Sequence, residues 1–223
     1  MAFWLSIAIS IFCILKIERS HQWNKWDTLF MLSSWQIFNL KFWQNYLGSY
    51  ANYSYEISAS ICFLLAVIYA YRRGLNINYR FSWVELKKLF WWLAALAAIL
   101  IPLGLKMNFL KFNPRLDPGF IVWTTVSYFL FVATIEEIIF RGIIFNLLRR
   151  HMQDWCALLI TTFLFATIYT HICGYGWIPN FRYVGMAFIA GLAYGLSYMK
   201  TKSIVAPMVI HGAVDAIWRI FLS

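Results

Sequence analysis

Long apolar runs recur along this chain, and most of them are bounded by lysine or arginine. The run 57–71 ends at Arg72-Arg73, 89–105 follows Lys87-Lys88, 120–148 ends at Arg149-Arg150, and 183–199 leads into Lys200 and Lys202. Segments of roughly 20 apolar residues match the thickness of a bilayer, and in lipid a helix satisfies its own backbone polar groups. The pattern predicts an all-α fold, a polytopic transmembrane bundle of about seven or eight membrane helices. Composition agrees: only 13% of residues are charged, against about 25% in soluble domains. The net charge of +10 sits at the ends of the apolar runs. That is the pattern of cytoplasmic loops against anionic lipid, and it argues against a nucleic-acid partner.

The apolar residues 2–15 lack a basic leader and a small-residue cleavage site, so they read as a first helix and not as a cleaved signal peptide. Residues 28–46 are aromatic but broken by Ser33-Ser34, Gln36, Asn39 and Lys41; a span, an interfacial helix and a re-entrant segment all fit. The basic edges of the loop 74–81 place it in the cytoplasm with Arg149-Arg150. The loop 106–119, with the turn signals Asn113-Pro114 and Asp117-Pro118-Gly119, falls on the opposite side. Cys13, Cys62, Cys156 and Cys173 form no C-x-x-C pair, so no zinc knuckle or redox motif is expected. Without a repeat or a linker, the chain reads as one integral membrane domain in two parts. Residues 1–118 are N-terminal membrane helices of unassigned role, and 119–223 form the core that carries the chemistry. Localisation is multi-pass in the cell (inner) membrane.

The chemistry lies where ionisable groups interrupt apolar runs, because such groups are costly in a membrane and mark functional sites. Glu136 and Glu137 lie inside 120–148. Glu137 and Arg141 are spaced i,i+4 with the acid first, the favourable order for an intrahelical pair. Glu136 points about 100° away around the helix and is the carboxylate available to a cavity. His171 ends the next apolar run, and His211 and Asp215 share one face of the last, where an acid one turn from an imidazole can fix its tautomer. Gly212 and Ala213 leave room for a close helix approach or a substrate. Taken singly, a Glu–Arg pair is as often a structural staple, and a lone membrane histidine more often bonds a carbonyl. All three elements in successive runs favour a site. A carboxylate, two imidazoles and an acid–histidine pair can polarise a water and protonate a leaving amine. The same side chains are ordinary zinc ligands.

Glu-Glu-x-x-x-Arg, a helix ending in His, and His-x-x-x-Asp or Asn together resemble the CPBP family of intramembrane proteases, which includes type II CAAX prenyl endopeptidases and bacterial Abi proteins. Glu136-Glu137-Ile-Ile-Phe-Arg141 and His211-Gly-Ala-Val-Asp215 match the first and third motifs in full. The second, Phe-x-x-x-His, departs: Thr167 stands four before His171, and the nearest phenylalanine is Phe165. The resemblance implies an intramembrane endopeptidase in which Glu136 and His171 activate water, His211 and Asp215 stabilise the oxyanion, and Arg141 orders Glu137. It implies a peptide or protein substrate in the lipid bilayer. No cofactor is required, although a divalent metal such as zinc stays open. Two rival readings remain at this point, a transporter or proton relay and a non-catalytic immunity or scaffold protein.

Overall fold

Asp117-Pro118-Gly119, read above as a turn, starts the helix that bears the first motif. Asp117 caps it: its side chain accepts the Phe120 amide at 2.7 Å, and Pro118 occupies the first turn, where its missing N–H is not needed. The computed structural model describes residues 2–18, 23–38, 54–80, 82–169 and 180–223, and among these every regular element is helical. We number eight helices. They are α1 (Ala2–Lys16), α2 (Lys25–Phe38), α3 (Ser54–Arg73), α4 (Trp83–Lys106), α5 (118–148), α6 (Asp154–Thr167), α7 (Phe181–Thr201) and α8 (Val205–Phe221).

Helix α5 is continuous but not uniform. Two π-helical stretches, Tyr128–Ala133 and Ile138–Phe145, enclose a short α-helical segment, Thr134–Glu137, that holds both carboxylates. Wide turns of this kind inside α-helices are frequent at functional sites. Their loosened carbonyls find side-chain donors here. The Thr134 hydroxyl donates to the Phe129 carbonyl, and the Asn146 amide donates to the carbonyls of Arg141 and Gly142. Helix α8 packs on the first half of α5, on α7 and on α4; α6 packs on α7 and on the second half of α5. Helices α1 to α3 form a second group that reaches α5 through α3.

Polarity is inverted relative to a water-soluble protein. Trp4, Leu15, Phe90, Trp91, Val122 and Phe163 face outward, while Asp27, Arg73, Glu137, Arg141 and His211 are buried. A continuous apolar exterior is expected of a surface that meets lipid. Among the described residues one helical segment, Lys87–Lys106, is both long and apolar enough to cross a membrane as a straight helix; Trp4–Lys16 and Asp154–Thr167 are shorter apolar helices. Connecting segments far apart in the chain are tied together. Asn78 of the 74–81 loop donates its side-chain amide to the Lys202 carbonyl and accepts the Ile204 amide, and the Trp23 amide donates to His151 Nε2.

Two sequence readings change in the N-terminal half. Arg73, grouped above with lipid-facing basic residues, is buried. Its Nε and Nη2 donate to Asp27 at 2.9 and 3.0 Å, and its Nη1 donates to the Glu18 carbonyl. Asp27 also accepts from the Tyr69 hydroxyl and from the Asn24 amide, while Asn24 Oδ1 accepts the Trp26 and Asp27 amides. Asn24 and Asp27 thus form a reciprocal box at the start of α2. The segment 28–46, ambiguous in sequence, is a packed helix as far as Phe38, with Phe30 buried and Ser33 hydrogen-bonded to Ser10; its remainder lies outside the described residues. Because a hydrogen bond to a charged group contributes about 1.5–3 kcal/mol, Tyr69→Phe should lower unfolding stability by that amount. Thermal unfolding in detergent checks it, and an unchanged melting temperature would show the Asp27–Arg73 pair to be self-sufficient.

Candidate active site

Both carboxylates of α5 point into the protein, but to different partners. Glu137 is fully buried, and its Oε1 accepts from Arg141 Nη1 at 2.8 Å. The i,i+4 pair read from sequence is therefore formed. The same oxygen lies 2.8 Å from His211 Nδ1, a contact between helices that no local spacing reveals. Arg141 is held from the other side by the Gly191 carbonyl, at 2.8 Å from Nη2, and its guanidinium lies over the rings of Phe165 and Tyr194 at 4.7 and 5.6 Å. A side chain at 191 would put its Cβ 2.8 Å from the Phe165 ring, so glycine is what lets α7 bring that carbonyl to the arginine.

His211 is locked in orientation. Its ring stacks on Tyr194 (4.6 Å between centroids, 17° between planes) and meets Phe165 edge-on at 5.6 Å. With Nδ1 directed at the Glu137 carboxylate, Nε2 is the nitrogen that faces the other two acids. It lies 3.4 Å from Asp215 Oδ2 and 3.8 Å from Glu136 Oε2. The following residue makes this placement possible: a Cβ at Gly212 would meet the Phe129 ring at 2.8 Å, so α8 can lie against α5 here because there is none. The close approach expected at Gly212 is thus to the motif helix.

Glu136 is nearly buried, and its Oε2 accepts from the Tyr169 hydroxyl at 2.8 Å. It borders a cavity of about 400 Å³ whose apolar walls include Met31 and Leu32 of α2, Ile139 and Phe140 of α5, and Leu164 and Ile168 after it. A second, smaller cavity of about 110 Å³ between α4, α7 and α8 is bordered by His211, Asp215 and Tyr169. The Glu136–His211 pair therefore has space on both sides.

The structure brings together five of the six residues singled out in sequence: Glu136, Glu137, Arg141, His211 and Asp215. The sixth, His171, lies outside the described residues. Thr167, at the position where the second motif has phenylalanine, borders the larger cavity and turns its hydroxyl back to the Leu164 carbonyl. Phe165 is the aromatic residue at the centre of the site, touching Arg141, His211, Tyr169 and Phe140. Sequence reasoning missed Tyr169 and Tyr194, neutral aromatics in a chain that is 20% aromatic. Their one sequence cue is position, Tyr169 two residues before His171 and Tyr194 between Gly191 and Gly195 on α7. Among the described residues, no three His, Cys, Asp or Glu side chains are arranged to hold a metal ion.

The arrangement can hold a water against a carboxylate and present a fixed imidazole beside it. The same span of chain matches a known family: residues 118–217 fit the model described as type II CAAX prenyl endopeptidase Rce1-like. This stretch is an Rce1-like domain. It contains all five grouped residues, and it is the relationship that the spaced motifs resembled. The Rce1-like family is membrane-integral and of CAAX-type protease character, in keeping with the apolar exterior and the charged interior. Helices α1 to α4 precede the Rce1-like domain. No curated protein and no solved structure matches the chain.

Proposed function

We propose that the protein is a multi-pass intramembrane endopeptidase that hydrolyses a peptide bond in a membrane-anchored or membrane-delivered peptide or protein. The observation that carries this reading is the convergence of Glu136 Oε2 and Asp215 Oδ2 on His211 Nε2 at 3.8 and 3.4 Å, beside a cavity large enough for a peptide segment. Glu136 takes a proton from a water in that cavity, and the water oxygen bonds to the scissile carbonyl carbon. His211, oriented by Glu137 and Asp215, faces the negative charge that develops on the carbonyl oxygen. Glu136 then returns the proton to the nitrogen as the C–N bond breaks, leaving an acid and an amine. His171 belongs to this scheme as the partner of Glu136 on the family pattern. Glu137 and Arg141 do not touch substrate; they hold the imidazole.

Wild-type protein reconstituted in liposomes should cleave members of a membrane-anchored peptide reporter library, and cleavage should survive a divalent-metal chelator. Loss of cleavage on chelation would return a metal to the mechanism. A library that stays intact while substrate-dependent flux appears across the liposome wall would replace the proteolytic reading with transport.

A further inference from the structure

Glu136 has three rotatable bonds and sits against apolar walls, so nothing in its own helix fixes where its carboxylate points. Among the described residues its one hydrogen bond comes from the Tyr169 hydroxyl, at 2.8 Å, and that bond uses Oε2. The contact with His211 Nε2 uses Oε2 as well. Oε1 is the oxygen left to the cavity that Glu136 borders.

The phenol is itself held rigidly. Tyr169 follows the end of α6 in a turn whose amide donates to the Ala166 carbonyl at 3.2 Å. Its ring is buried, 5.4 Å from Phe165 in an edge contact and 4.7 Å from Tyr183. A two-torsion aromatic wedged between two others loses little further freedom when its hydroxyl is aimed. Tyr169 also borders the smaller cavity while its hydroxyl reaches Glu136 beside the larger one. Ring and hydroxyl thus stand between the two spaces.

We infer that Tyr169 is the positioning residue of the site: its hydroxyl ties down Glu136 Oε2 so that Oε1 faces the cavity and the water held there. The inference rests on the proteolytic reading for its kinetic consequence but not for its geometry, so the two can fail separately. A carboxylate that is free to turn still binds substrate but presents the base in the wrong attitude, so the loss belongs in kcat and not in KM.

The test compares the full-length wild type with Tyr169→Phe and Tyr198→Phe in liposomes. Tyr198 is a second buried tyrosine, and its hydroxyl bonds to Asn146 and not to a carboxylate. Infrared spectra give the carboxyl band of Glu136, identified by its loss in Glu136→Gln. In Tyr169→Phe that band should move, and kcat on a cleaved reporter should fall about 10- to 100-fold with KM within about twofold, as expected when one charged hydrogen bond is lost. Tyr198→Phe should leave both unchanged. An unmoved Glu136 band, or an equal loss of kcat in Tyr198→Phe, overturns the assignment. A band that moves in a wild-type background that cleaves nothing upholds the positioning and removes the proteolytic reading instead.

Discussion

Glu136→Gln should end cleavage while leaving the protein folded. A general base contributes about 10²- to 10⁴-fold to a rate, and the amide keeps the shape of the carboxylate but cannot take a proton from water. The amide oxygen can still accept from the Tyr169 hydroxyl, which now bonds Glu136 Oε2 at 2.8 Å. Replacing a buried ionisable group by a neutral isostere carries no new desolvation cost. The melting temperature should therefore stay within a few degrees of wild type, in keeping with the scatter of mild substitutions. The measurement is reporter cleavage by purified variant and wild type at equal protein concentration, with thermal unfolding alongside. Activity within tenfold of wild type would remove Glu136 from the chemistry. A collapse in stability would make it a structural residue.

Arg141→Ala should destabilise the domain strongly. The guanidinium is 1% exposed and the Glu137 carboxylate fully buried. Removing one partner of such a pair leaves a buried charge uncompensated, at a cost of about 3–5 kcal/mol. The same substitution frees the Gly191 carbonyl and empties the space over Phe165 and Tyr194. For a chain of this size the loss corresponds to a fall of about 10 °C in melting temperature. Arg141→Ala combined with Glu137→Gln should recover part of it, because the second change removes the stranded charge. A single variant that melts with wild type would mean that His211, also 2.8 Å from Glu137, suffices to hold that charge.

How far the site could be read in advance depended on whether a contact was local. Glu137–Arg141 and His211–Asp215 are i,i+4 pairs, so helical periodicity alone placed each pair on one face. The separation of Glu136 from Glu137 followed from the same arithmetic. The bond from His211 to Glu137 crosses from α8 to α5, and no spacing along either helix encodes it. Tyr169 escaped because a tyrosine in an apolar run is ordinarily a membrane-interface residue; only the fold shows its hydroxyl meeting a carboxylate. Arg73 was misassigned for the converse reason. It stands beside Arg72 at a helix end, where flanking charge is expected, and its partner Asp27 is 46 residues away. The all-helical class was legible from the apolar runs. Their pairing was not, because apolar exteriors and apolar contacts between helices draw on the same residues.

The wide turns of α5 have a consequence for how this helix can change over time. Each π-helical stretch takes in more residues per turn than an α-helix does, so the direction of every side chain beyond it depends on that surplus. Loss of a single residue from Tyr128–Ala133 would let the segment tighten to α-helical geometry, where the residues that are left turn through nearly the angle that the wider turn covers now, so the pair at 136 and 137 would keep its direction. The same loss from the α-helical stretch Pro118–Ser127, which has no surplus to give up, would swing both carboxylates by about 100° relative to the start of the helix. Not one functional side chain would have been replaced, yet both would be aimed at the wrong neighbours. The wide turns are thus the places where this helix can absorb a change of length, and its regular turns are the places where it cannot.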